Sequence, residues 1–142
     1  MAFTGSVEDR LAIHELVMSY GDAVTRKDAK DWGKTWAEDA IWRIPHFPLL
    51  EKVMGREEIV RLWSQVMEDY KYIVFTAVLG SLLIENDTAK GVTYTTETGM
   101  DIKDNKSRTH GQYEDEFIKK DGNWYFLKRT FSIPILKRSV IS

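Results

Sequence analysis

The chain contains no cysteine. Disulfides, thiolate nucleophiles and cysteine-ligated zinc are therefore excluded, and the absence fits a reducing cytoplasm, the location expected here. Histidine is nearly as scarce. His14, His46 and His110 are scattered without ligand spacing, so no metal site and no cofactor is expected. No stretch approaches the roughly 20 apolar residues of a membrane span. The opening Met1-Ala2-Phe3-Thr4-Gly5-Ser6 lacks the basic flank and apolar run of a signal peptide. A membrane partner is not expected. Nor is there an excess of one charge: 20 basic and 22 acidic residues are mixed along the chain, for a net charge of −2. Without a basic block there is no footprint for nucleic acid, and the pair Lys137-Arg138 is too small to argue from. Repeats, low-complexity tracts and linkers are missing, so one domain over residues 1–142 is the economical reading.

What is present is a core and many rings. Hydrophobic residues make up 43% and aromatics 12%, with five tryptophans. Rings on this scale fill cores, line ligand cavities and stud interfaces. Ser6-Val7-Glu8-Asp9 has a hydroxyl followed three residues later by an acid, a helix start. The helix runs to about Thr25, with Ile13, Leu16, Val17, Tyr20 and Val24 on one face and Glu15, Asp22 and Arg26 on the other. A second short helix is expected over Ala29–Trp36, a strand over Ala40–Ile44 stopped by Pro45, and a third helix over Arg56–Tyr70. From Tyr72 the pattern turns to strands: Tyr72–Ile84 broken at Gly80, Ala89–Gly99, and a last hairpin of Arg108–Ile118 and Trp124–Ile133 ended by Pro134.

The hairpin carries the chemistry. A three-residue loop Lys120-Asp121-Gly122 would pair Lys119 with Asn123, Phe117 with Tyr125, Asp115 with Leu127 and Tyr113 with Arg129. One face then holds Gly111, Tyr113, Asp115, Phe117, Tyr125, Leu127, Arg129 and Phe131. The other holds Glu114, Glu116 and Lys128 with Trp124 and Phe126. The first face is the better core. Asp115 and Arg129 are diagonal neighbours on it, able to form a structural ion pair under a pocket floor or a catalytic pair. A one-residue slip in the turn would reverse the faces. Trp124, Phe126 and Ile118 on the outer face would leave apolar surface for a homo-oligomer.

Read together, Leu11-Ala12-Ile13-His14-Glu15-Leu16 with Tyr20, Trp36-Ala37-Glu38-Asp39-Ala40-Ile41-Trp42, Gly55 before a helix, and Gly111-Gln112-Tyr113-Glu114-Asp115-Glu116-Phe117 with Asp121-Gly122-Asn123-Trp124 resemble the SnoaL-like branch of the NTF2-like superfamily, from about residue 7 to 133. The resemblance implies an α+β cone, three helices packed on a strongly curved, mostly antiparallel sheet that encloses a pocket, and a homo-oligomer that is a dimer or trimer. Relatives include polyketide cyclases, scytalone dehydratase, a dehydrochlorinase, ketosteroid isomerases and the small subunits of ring-hydroxylating dioxygenases. The dehydratase and dehydrochlorinase relatives use an Asp on the first helix and a His on a central strand. Here the Asp position matches Thr25 and the His position falls within Phe75–Ala77, so that pair is absent. Tyr20 and Arg129 match pocket positions of those relatives.

The remaining candidates come from the residues themselves. Asp22 lies on the polar helix face and reads as solvent-exposed. Tyr20 lies inward, as a hydrogen-bond donor to a carbonyl or as core. His46, between two prolines, is a candidate acid/base group at the pocket mouth, with Phe47-Pro48-Leu49-Leu50 as a flap or a packed loop. His110 reads as exterior and His14 as surface. Trp42 reads as pocket wall. Glu97 ends a threonine-rich strand whose faces are both half polar; outward it is a surface acid, the simpler reading, and inward a second pocket carboxylate. The expected function is a lyase, isomerase or cyclase acting on a small hydrophobic ring or carbonyl compound. In it Asp115 moves a proton, Arg129 holds Asp115 ionised or steadies an enolate, and Tyr20 or Tyr113 bonds the substrate oxygen. The alternatives are a non-catalytic binder of a small apolar molecule, or an accessory subunit.

Overall fold

The computed structural model describes residues 2–133. Pro134 and the Lys137-Arg138 pair lie outside them. Helix α1 spans Val7–Arg26; the Ser6 hydroxyl accepts the Asp9 amide at 3.1 Å, and Lys27 closes the helix in the left-handed region. The hydroxyl cap satisfies an amide that the helix itself leaves unpaired. Ile13, Val17, Tyr20 and Val24 are buried, as their 3.6-residue spacing requires. Asp28 caps helix α2 (Ala29–Gly33), which ends early enough that Trp36 begins strand β1 (Trp36–Arg43) and does not end a helix. A 3-10 turn over Pro48–Leu50 and strand β2 (Val53–Met54) follow. Helix α3 covers Arg56–Met67, shorter than its periodicity suggests because Tyr70 already belongs to β3.

Strands β3 (Tyr70–Glu85), β4 (Thr88–Asp101), β5 (Lys106–Lys120) and β6 (Asn123–Ser132) complete one open six-stranded sheet. Its order is β2-β1-β6-β5-β4-β3, and every pairing is antiparallel except β1 with β6. The register shifts in β3 between Leu79 and Ser81, beside Gly80, and in β5–β6 near Phe117. Such bulges bend a strand and tighten its twist, which curls the sheet around the helices. Three helices on a curved, mostly antiparallel sheet is the expected α+β architecture. Inside it Trp32 and Trp63 stack at 4.4 Å, and Trp32, Trp36 and Phe126 are fully buried.

The hairpin corrects the expected register. Its turn has two residues, Asp121 and Gly122, at φ 50° and 81°. Two successive left-handed residues make the tight turn that matches strand twist, and Asp-Gly suits it. Next to the turn the pairs are Lys120 with Asn123 and Phe117 with Phe126, so Trp124 and Phe126 face the core. Tyr125 and Leu127 are displaced to half-buried positions. The bulge at Leu127 then restores parity: Asp115 lies directly opposite Arg129 and Tyr113 opposite Phe131. Trp124 and Phe126 therefore supply no oligomer surface. The apolar side chains that stand exposed on the sheet's outer face include Tyr72, Val74, Val78, Leu83 and Tyr94. No helix among the described residues is long and apolar enough to cross a membrane.

Candidate functional site

A cavity of about 220 Å³ opens between the sheet, α1 and α3. Tyr20 and Val24 reach it from α1, Trp63, Val66 and Met67 from α3, and Phe75, Glu97, Thr109, Tyr113 and Phe131 from the sheet. An apolar cavity of about 150 Å³ accepts a benzene. This one suits a single ring with a short substituent. His46, Phe47 and Leu50 stand at its rim. Among the described residues no group of three metal-binding side chains converges there or elsewhere.

Asp115 and Arg129 do not line the cavity. They form a closed pair beneath it, with Nε to Oδ1 at 2.7 Å and Nη2 to Oδ2 at 3.1 Å, both side chains fully buried. The Thr93 hydroxyl donates to the same carboxylate at 2.7 Å. The Arg129 guanidinium lies 3.8 Å from the Tyr113 ring centre, 4.2 Å from Phe126 and 4.5 Å from Tyr20, close enough for cation–π attraction. Burial opposes its charge, but Asp115 and the adjoining phenols outweigh that and raise its pKa. Asp115 is thus an anchor for the floor: its carboxylate accepts three hydrogen bonds from Arg129 and Thr93, and it does not line the cavity in which it was expected to move a substrate proton. Arg129 acts through the rings it supports.

Glu97 is placed inward, against the simpler sequence reading. It shares the face of Thr93 and Thr95, between Phe75 on β3 and Thr109 on β5. It has no hydrogen-bond or ion-pair partner among the described residues, and burial alone pushes its pKa up to about 7. With Asp115 below the floor, Glu97 is the carboxyl among the described lining residues. The phenols beside it remain protonated at neutral pH. Burial raises Tyr20 and lifts Tyr113 well above the usual phenol range; Tyr70, nearer the opening, is raised by burial and by Glu97. Trp42 Nε1 donates to the Tyr113 hydroxyl at 3.1 Å. That bond takes a lone pair of the phenol oxygen and leaves the Tyr113 proton for another acceptor.

Thr25 is corrected as well. It is exposed and lines nothing; its hydroxyl accepts the Phe75 amide at 3.0 Å and satisfies an N–H on the outer edge of β3. The wall residues at that level are Val24 and Phe75. Asp22 is exposed and pairs with Arg26 at 2.9 Å, as periodicity implied. His110 is exterior, 3.2 Å from the Thr96 hydroxyl. The Phe47–Leu50 segment is a packed turn on the Leu50 side, tied by the Ile44 amide to Leu50 O at 2.8 Å, while Phe47 and Leu49 stay exposed. Ser107 and Thr109, lining residues that sequence reasoning missed, follow from the same register that brings Glu97 inward.

Gly111 gives the wall its shape. A Cβ there would overlap the Phe131 ring and sit 3.0 Å from the Thr95 hydroxyl. Gly111→Ala should push Phe131 toward the cavity, costing about 1–3 kcal/mol of stability as overpacked sites do. Urea unfolding together with ring-ligand binding checks this: both should weaken, and unchanged values would mean the ring has room to move.

No curated protein matches the sequence. Solved structures do match the fold. A type 2 hexachlorocyclohexane dehydrochlorinase is 20% identical with a TM-score of 0.81, over 91% of this chain and 87% of that one. A putative aromatic ring hydroxylase from Novosphingobium aromaticivorans is 22% identical (TM-score 0.81, 94% of each chain). A putative scytalone dehydratase from the same organism is 16% identical (TM-score 0.81, 96% of this chain and 91% of that one). At these identities the likeness speaks for the fold. The family model for the SnoaL-like domain matches residues 5–130, and the chain belongs to that family.

Proposed function

We propose that the protein is an enzyme of acid/base type that moves a proton at a carbon next to the carbonyl of a small, single-ring apolar compound. The observation that carries this is Glu97: a carboxyl in an aromatic cavity, without a partner among the described residues, whose pKa burial pushes up to about 7. A base works best when its pKa lies near the working pH. In the step, ionised Glu97 takes the proton from the ring carbon. The C–H electrons form a carbon–carbon double bond, and the carbonyl electrons move onto oxygen. The Tyr113 hydroxyl, its own oxygen already bonded by Trp42 Nε1, donates to that oxygen. Tyr20 lines the same cavity and offers a second phenol. Returning the proton to another carbon gives an isomerase; losing a neighbouring leaving group gives a lyase. The names of two fold relatives, a dehydrochlorinase and a putative scytalone dehydratase, describe eliminations and favour the same class. The step calls for no cofactor.

The test is deuterium uptake. Single-ring ketones and enones are incubated with the protein in heavy water and followed by NMR. Uptake at the carbon next to the carbonyl, faster than buffer alone, is expected for at least one ring that binds. Binding without uptake across the panel would overturn the reading and leave a non-catalytic carrier.

A further inference from the structure

Glu97 poses a charge problem that proton transfer does not exhaust. Above its pKa it is a carboxylate whose described surroundings in the cavity include no lysine or arginine. An ion in apolar surroundings is costly until a counter-charge meets it. The nearest buried cation, Arg129, is already neutralised by Asp115 and lies beneath the floor. Among the described residues, the cavity wall therefore carries one negative charge and no counter-charge. Around that charge stand aromatic faces. Trp42, Trp63 and Tyr70 line the same space, and Trp63 has one face covered by Trp32 at 4.4 Å, which leaves its other for the cavity. Ring faces attract cations, and indoles do so most strongly. The remaining ionisable groups on the wall are His46 at the rim and the phenols of Tyr20, Tyr70 and Tyr113.

We propose that this cavity also binds single-ring organic ammonium ions, with Glu97 as counter-charge and the Trp42, Trp63 and Tyr70 rings as the wall around the cation. The proposal goes beyond the acid/base reading and needs only the inward placement of Glu97. A cation seated there occupies the base, so it acts as a competitive inhibitor of any proton transfer. The volume of about 220 Å³ confines the ligand to one ring and a short arm.

Calorimetric titration of the full chain with benzylammonium and with benzyl alcohol, a neutral molecule of nearly the same shape, tests it. At about pH 8, where Glu97 is ionised, benzylammonium should bind about tenfold tighter than the alcohol. In Glu97→Gln the preference should vanish. Glu97→Met, which also removes the charge, gives a second comparison if the amide variant melts early. Equal affinities in the native chain, no detectable benzylammonium binding, or a preference that survives both substitutions would each overturn the proposal. None of these bears on deuterium uptake from ketones, so failure here and failure of the catalytic reading are separable.

Discussion

Asp115→Ala should lower the free energy of unfolding by about 3–5 kcal/mol, the usual cost of leaving one member of a buried ion pair alone. The substitution strips Arg129 of both its charged hydrogen bonds, at 2.7 and 3.1 Å, and the Thr93 hydroxyl of its acceptor. Arg129 Nη1 already lacks a hydrogen-bond partner, so the guanidinium has no reserve. What remains around the charge is Tyr20, Tyr113 and Phe126, whose ring faces cannot replace a carboxylate. Urea unfolding at neutral pH measures the loss. The double variant Asp115→Leu/Arg129→Met separates the pair's net worth from the cost of an orphan. Because two charges are desolvated to make the pair, replacing both by apolar groups should recover most of the stability. If the single variant loses under about 1 kcal/mol, water reaches Arg129 and the floor is not dry.

Glu97→Gln should reduce proton-transfer turnover by about 10²–10⁴-fold, the range for losing a general base. It should also stabilise the protein at alkaline pH. The carboxyl is pushed up to about 7 in the fold, against an ordinary 4.5. The folded state therefore binds its proton more tightly than the unfolded chain, and stability falls as pH rises through that window. Above about pH 7 the full penalty is present, about 3 kcal/mol. The glutamine variant should melt higher than the native chain at pH 8 or so and lose that advantage towards pH 4.5. Native turnover should rise with pH through about 7, as Glu97 ionises. A variant that is less active and more stable is the pattern of a site kept strained for function. Parallel melting curves at every pH would place Glu97 in water and remove it as the base.

Much of the fold was legible because its signals are local. The face of α1 follows from a 3.6-residue spacing, and Ser6 announces the cap that Asp9 confirms. The inward sharing of Asp115 and Arg129 was also legible, although the pairing behind it was not. The turn is one residue shorter than expected and the bulge at Leu127 shifts the partner by one more, so beyond Phe117 the register is two residues from the expected one and the faces are back in step. Between turn and bulge the shift is a single residue, and there Trp124 and Phe126 exchange faces with Tyr125 and Leu127. Nothing in the local sequence distinguishes the two patterns, because both faces carry rings.

The sequence by itself determined the helix faces and the placing of an acid and a guanidinium on one sheet face, since both rest on side-chain period and on capping groups within a few residues; the family rests on the order and spacing of short motifs along the chain. Tertiary structure alone decided which acid meets the cavity. Asp115 is closed off by the partner that β6 brings against it. Glu97, on a strand whose two faces look alike, is turned inward by its pairing with Phe75 and Thr109, residues distant in the chain. A carboxyl's pKa depends on what excludes water from it, and that exclusion is made by α1, α3 and the bent sheet together, which no short stretch of the chain encodes.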